Sequence, residues 1–185
     1  MIDDALKSAE HKMHQAIEVL REEFVGIRTG RASPALVQRL HVEYYGTQTP
    51  LQQLAGVSVP DARSLLITPY DKTSIASIEK AIQASDIGIT PSNDGVAIRL
   101  SFPSLTEERR KEMTKIVRDR AEHGRVAIRN VRRHSKEEIE RDHKAGGISE
   151  DDLRRAEKDL QKLTDRFIAE VDDMLARKEA ELMEV

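Results

Sequence analysis

The sequence contains no cysteine and no tryptophan, and only three tyrosines and three phenylalanines among its 185 residues. Without thiols, disulfides, thiolate zinc sites and a cysteine nucleophile are excluded. A lack of cysteine is typical of the reducing cytoplasm, and we expect this location. No apolar run approaches the roughly 18 residues that a membrane span requires, and the acidic start of the chain is unlike a secretory signal. We therefore expect no association with a membrane.

The motifs of common enzyme classes are also missing. There is no Gly-rich phosphate loop, no His-Glu-x-x-His and no Gly-x-Ser-x-Gly sequence. The segment around Gly30 follows a helix and opens into an extended stretch, which is the reverse of the order that a phosphate loop needs. His11 and His14 share a helix face without a nearby third ligand, a pattern typical of surface histidines. We expect no catalytic activity, no cofactor and no metal site.

Apolar residues recur at steps of three and four in three long segments, which predicts three amphipathic helices. The first helix is expected from residue 2 to about 28, the second from about 106 to 144, and the third after a cap at Ser149. Helices with a single apolar stripe are not stable alone, so the sequence predicts an elongated antiparallel three-helix bundle. Its core is complete within one chain, and we expect a monomer.

Between the first and second helices the pattern changes to short β-branched and aromatic runs separated by turn residues. This change predicts an inserted α+β domain over residues 31–104, with one small helix near Ile75–Ile82, so that the bundle consists of residues 1–30 and 105–185. We expect a hinge where the chain crosses between the domains, at residues 29–34 and 102–105. Strands are predicted at His41–Tyr45, Leu54–Val59, Leu65–Pro69 and Val96–Phe102, with an edge strand near Ile87–Ile89.

The second helix carries an unusual concentration of positive charge. Residues 106–136 hold 11 Lys and Arg against 5 Asp and Glu, whereas the whole chain has a net charge of −3. At 100° per residue, many of these cations share a stripe beside the apolar one. Arginine suits bidentate contact with phosphate, and the lack of aromatic residues between the arginines argues against stacking on single strands. The stripe predicts contact with the backbone of a folded RNA, through Arg118, Arg125, Arg129, Arg132 and Lys136.

Two other interpretations of this stripe remain open. Residues 137–185 carry a net charge of −7, with 9 Lys and Arg against 16 Asp and Glu, so the third helix could pair with some of the arginines. An acidic protein could also bind the stripe. A simple solvated helix face normally alternates the two signs of charge, but there is no acidic residue between His123 and Lys136.

Five colinear motifs resemble those of the bacterial ribosome recycling factor family, and the similarity extends over the whole chain. The motifs are Ile27–Pro34 (IRTGRASP), Val42–Thr47 (VEYYGT), Leu105–Lys111 (LTEERRK), Arg129–Arg133 (RNVRR) and Ile148–Asp152 (ISEDD). The resemblance implies a three-helix bundle interrupted by a small α+β domain, L-shaped and similar to tRNA. It implies a translation factor that binds the large ribosomal subunit after termination. With elongation factor G and its GTP hydrolysis, such a factor splits the ribosome and releases mRNA and tRNA.

The resemblance also assigns roles to individual residues. Arginines matching Arg110, Arg129 and Arg132 contact the ribosome in the family, and Arg133 lies in the same motif. Around the hinge, the motif and linker residues are Arg28, Thr29, Gly30, Arg31, Pro34, Pro103 and Ser104. The alternatives from the residues alone are a helical bundle that binds RNA or DNA without specificity, and a structural adaptor that uses the acidic third helix.

Overall fold

The computed structural model describes residues 2–27 and 29–184, which divide into two compact units. The helical unit comprises residues 2–27 and 110–184, and the inserted unit comprises residues 29–109. The helices are α1 (Ile2–Val25), α2 (Ala35–Gln38), α3 (Leu51–Leu54), α4 (Ile75–Ala84), α5 (Glu107–Lys144) and α6 (Glu150–Met183). The strands are β1 (His41–Tyr44), β2 (Thr47–Pro50), β3 (Ala55–Asp61), β4 (Ser64–Pro69), β5 (Ser92–Asn93) and β6 (Ile98–Ser101).

The three long helices α1, α5 and α6 each bury an apolar face, which confirms the predicted three-helix bundle. The apolar stripe predicted on α5 is buried from Met113 to Ile128, whereas its last member, Val131, is half-buried. Ion pairs between α5 and α6 show that these helices run antiparallel. No helix among the described residues is long and apolar enough to cross a membrane. The core residues include Ala9, Met13, Ile17, Leu20 and Phe24 of α1 and Ala156, Leu160, Phe167 and Val171 of α6.

Polar side chains determine where the long helices begin. The Thr106 hydroxyl oxygen accepts a hydrogen bond from the Arg109 N–H at 3.1 Å, and the Ser149 hydroxyl oxygen accepts one from the Asp152 N–H at 3.1 Å. Each cap satisfies a backbone donor that has no partner inside its helix. The first helix ends at Val25, earlier than predicted, so Gly26 lies just beyond it rather than inside its last turn.

The inserted unit contains an antiparallel four-stranded sheet of order β3-β4-β6-β5 and a separate hairpin of β1 and β2. Its core includes Leu65, Ile67, Ile98 and Leu100 from the sheet and Ile78 from α4. Strand β2 and the short helices α2 and α3 were not predicted, since the sequence of β2 (TQTP) lacks alternating apolar residues. The predicted edge strand near Ile87–Ile89 was wrong. Gly88 there has a left-handed φ of +71°, which a strand does not accommodate, and β5 forms the edge instead.

Both linker segments are attached to the β3–β4 hairpin of the inserted unit. The N–H of Ala32 donates to the Ala62 carbonyl at 2.8 Å, and the N–H of Phe102 donates to the Arg63 carbonyl at 2.7 Å. Gly30 has a φ of +84°, and a Cβ atom at this position would lie 3.3 Å from Cγ of Leu105. Glycine therefore allows the first linker to turn left-handed and to approach the second linker closely.

Gly30→Ala is expected to destabilise the inserted unit by about 1–2 kcal/mol, because alanine is strained at positive φ and its methyl group would crowd Leu105. Urea unfolding would measure the free energy. Gly26→Ala is the matched control, since its Cβ meets nothing nearer than a carbonyl oxygen at 3.6 Å and its φ lies outside the left-handed region. Equal stability of the two variants would contradict the role assigned to Gly30.

Gly124→Ala is expected to stabilise the helical unit by roughly 0.5–1 kcal/mol. Gly124 lies inside α5, where glycine is unfavourable relative to alanine. The added Cβ would meet Cδ2 of Leu20 at 3.4 Å, which is an ordinary van der Waals contact. Thermal unfolding followed by circular dichroism would detect the higher midpoint. A lower midpoint would mean that the packing of α1 against α5 requires glycine.

Candidate nucleic-acid interface

Three of the predicted arginines lie along the seam between α5 and α6, and we call Arg118, Arg125 and Arg132 the seam row. Arg118 Nε is 2.5 Å from Glu179 Oε1, and Arg125 Nη2 is 2.6 Å from Asp172 Oδ1. The Arg132 guanidinium donates to Gln161 Oε1 at 3.1 Å, and the amide of Gln161 donates in turn to Asp165. The seam row therefore connects α5 to the acidic third helix, as the first of the open interpretations proposed.

The seam row is recognisable in the sequence once both helices are compared. Its arginines are seven residues apart, and so are Asp165, Asp172 and Glu179 on α6. Two antiparallel helices with this spacing bring each arginine near one acid, and Arg132 is linked to its acid through Gln161. The pattern of α5 alone does not reveal this match, because the acids lie on another helix.

Arg125 is the most constrained of these residues. Its side chain is only 18% exposed, and its guanidinium contacts both Asp172 and Glu122. Partial burial opposes the charged form, but the hydrogen bonds that the guanidinium donates to Asp172 and Glu122 raise the pKa of Arg125 above its ordinary value. Glu122 accepts hydrogen bonds from Arg125 and Arg129, and these bonds, the one from Arg125 most, lower the pKa of its carboxyl group. Glu122 therefore stays ionised at neutral pH. Arg125 is thus a structural residue as well as a positive charge.

Three other predicted cations point outward from α5, and we call Arg129, Arg133 and Lys136 the outer row. Arg129 is 46% exposed and lies 3.1 Å from Glu122, while Lys136 is 3.7 Å from Glu140. Arg133 is exposed and makes no hydrogen bond or ion pair with the part of the chain that the structure describes. Exposed ion pairs of this kind contribute about 0–1 kcal/mol, so a phosphate group can replace the carboxylate at little cost.

Two further cations of α5 lie apart from these rows. Arg110 is half-buried near the start of the helix, and its Nε is buried without a hydrogen-bond partner among the described residues. The helix rise separates it from Arg133 by about 35 Å. Lys115, which was not among the predicted residues, is exposed and lies on the same side of α5 as Arg133. The predicted residues therefore form two rows and a distant arginine rather than one continuous patch.

The predicted hinge residues lie in the two linkers of the inserted unit, except Arg28, which lies outside the described residues. Thr29 and Gly30 are half-buried and Arg31 is exposed in the first linker, whereas Pro34 immediately precedes α2. In the second linker Pro103 and Ser104 are both exposed. None of these residues is part of the basic rows on α5.

Comparison with known proteins places these features in a family. The profile of the family described as Ribosome recycling factor matches residues 20–183. The ribosome-recycling factor of Acidothermus cellulolyticus is 56% identical over 185 residues, and that of Halalkalibacterium halodurans is 51% identical over 185 residues. In both comparisons the alignment covers 100% of this chain and 100% of the relative.

Solved structures are similar along the whole chain. A solution structure of the ribosome recycling factor has a TM-score of 0.86 and 43% identity, covering 100% of this chain and 98% of that one. A ribosome recycling factor of T. thermophilus, described as bound together with E. coli elongation factor G to the E. coli post-termination complex, has a TM-score of 0.71 and 44% identity, with 100% of both chains covered. With this agreement in sequence and fold, the resemblance seen in the five motifs is confirmed, and the chain belongs to the ribosome recycling factor family.

Proposed function

We propose that this protein binds the post-termination ribosome and, together with elongation factor G, splits the ribosomal subunits and releases mRNA and tRNA. The observation that carries the proposal is the similarity, over the full length, to a recycling factor described on a post-termination complex with elongation factor G. The energy comes from GTP hydrolysis by the partner, and the chain itself acts as a monomeric binding protein in the cytoplasm rather than as an enzyme.

The outer row is our proposed main contact with the RNA of the large subunit. Arg129, Arg133 and Lys136 are exposed, and their intramolecular ion pairs are weak or absent among the described residues. Arg110 is a second proposed contact at the other end of α5. The seam row contributes less in this proposal, because Arg118, Arg125 and Arg132 already bind side chains of α6 that phosphate would have to replace.

The inserted unit is proposed to move when elongation factor G acts on it. Residues 31–104 contain six Lys and Arg and six Asp and Glu, so their net charge is zero and RNA does not attract them strongly. Movement would take place at the linkers 29–34 and 102–105, where Gly30 supplies an unusual backbone conformation. In this proposal the basic helix α5 holds the protein on the RNA, and the neutral inserted unit is the part that moves.

Arg133→Ala is expected to weaken binding to purified large subunits and to reduce the slope of log K against log salt concentration by about 1, because one phosphate contact is lost. Binding would be measured over a series of salt concentrations. Arg133 makes no hydrogen bond or ion pair with the described residues, so the melting temperature of the variant should equal that of the wild type.

Arg155→Ala on α6 is the matched control, because it removes the same charge from another exposed position. It should leave the salt slope unchanged. Arg125→Ala should instead lower the melting temperature, since Asp172 and Glu122 lose their shared partner. Equal effects of Arg133→Ala and Arg155→Ala, or equal affinity for any duplex RNA, would favour a bundle that binds nucleic acid without specificity.

A disulfide between the linkers tests the proposed movement. Leu105 Cγ lies 3.3 Å from the position of a Cβ on Gly30, and the natural chain has no cysteine that could compete. We expect the oxidised Gly30→Cys/Leu105→Cys protein to split ribosomes about tenfold more slowly while binding large subunits normally, and reduction should restore the rate. The reduced form is the control for the two substitutions. Equal splitting rates of the two forms would show that splitting does not require the two linkers to separate at Gly30 and Leu105.

A further inference from the structure

The β1–β2 hairpin of the inserted unit carries a tyrosine where its turn disfavours one. Tyr44 pairs with Thr47 across the hairpin, so Tyr45 and Gly46 form a two-residue loop. Their φ angles are 48° and 76°, the combination of a type I′ turn, whose first position normally holds Asn, Asp or Gly. A bulky residue in the left-handed region costs on the order of 1 kcal/mol. Local folding therefore does not account for a tyrosine at this position.

Packing does not account for it either. Tyr45 is 82% exposed, although the edge of its ring contacts Tyr44 with the ring centroids 4.5 Å apart. Most of the ring thus remains uncovered by the protein. Exposed aromatic rings that break a local preference are typical of binding surfaces, where tyrosine supplies large contact area with few rotatable bonds.

The surroundings of Tyr45 are ordered before any partner arrives. The Tyr44 hydroxyl donates to Asp71 Oδ2 at 3.0 Å, while Asp71 Oδ1 accepts from the N–H and the hydroxyl of Thr73 at 2.9 and 2.7 Å. The hydrogen bonds from Thr73, and to a lesser extent the one from Tyr44, lower the pKa of Asp71. The same bond between Tyr44 and Asp71 raises the pKa of the Tyr44 hydroxyl. Tyr70, which is 75% exposed, directly precedes Asp71. All three tyrosines of the chain therefore belong to this one region.

The lack of positive charge around the hairpin favours a protein partner over RNA. Residues 40–62 contain no Lys or Arg, although the chain has 30 of them. Surfaces that stack aromatic rings on nucleic-acid bases combine the rings with a positively charged groove, which this hairpin lacks. A pair of exposed tyrosines on a surface without a basic groove fits an apolar recess on another protein, which excludes water around the ring.

We propose that Tyr45 is an anchor side chain that docks the inserted unit into an apolar recess on elongation factor G. The inference rests on the proposed function, which supplies the partner, and it adds the residue and the chemistry of the contact. The strained turn presents the ring, Tyr44 supports one edge of it, and Tyr70 adds a second exposed ring on the same neutral unit.

The test compares Tyr45→Asn with wild type, using purified elongation factor G with GTP and post-termination ribosomes as probes. Asparagine suits the turn, so the melting temperature should stay equal or rise. Subunit splitting at subsaturating elongation factor G should slow by about tenfold or more, as for the loss of a central interface residue. Binding to large subunits without elongation factor G should be unchanged. Tyr45→Phe should retain most activity because it keeps the ring.

Val59→Thr is the control for exposed apolar surface, since Val59 is 42% exposed on β3 of the same unit. It should split ribosomes at the wild-type rate. Normal splitting by Tyr45→Asn, or weaker binding of this variant to large subunits alone, would overturn the proposed contact. Failure of the wild-type protein itself to split ribosomes would instead overturn the proposed function, and the contact with it.

Discussion

The burial of one apolar stripe of α5 between α1 and α6 is the constraint on which the helical unit depends. Each of these helices has a single apolar face and needs the other two to cover it. The stripe from Met113 to Ile128 is covered in this way, and Gly124 lies within it against Leu20. Once the stripe is buried, the orientation of every other side chain on α5 follows from the period of the helix.

This orientation separates the cations of α5 into two groups with different physical roles. The seam row lies next to the buried stripe, and Arg118 and Arg125 are paired with acids of α6 while Arg132 donates to Gln161. The outer row lies farther around the helix and remains available to phosphate. The acidic composition of the third helix thus does not cancel the basic face uniformly, because an acid neutralises only the cations within its reach.

The inserted unit follows different principles. Its strands pair locally, its net charge is zero over residues 31–104, and its linkers are held by backbone hydrogen bonds to one hairpin. Two positions depart from ordinary preferences: Gly30 adopts a left-handed conformation beside Leu105, and Tyr45 adopts one while almost fully exposed. Such departures are expected where a protein bends or binds, because stability alone would not retain them.

The sequence alone determined the three long helices, the buried stripe on α5 and the family, because a period of 3.6 residues and five colinear motifs are local signals that need no knowledge of neighbours. It also located four strands of the inserted unit, but neither β5 nor β2, whose polar residues gain their strand conformation by pairing with neighbouring strands. Only the tertiary structure decided which arginines are engaged. Arg125 and Arg133 are both arginines of the same helix, yet Arg125 donates a hydrogen bond to Asp172 whereas Arg133 is exposed. The difference arises from the approach of α6, whose Asp172 lies 47 residues after Arg125 and is brought alongside by burial of apolar faces.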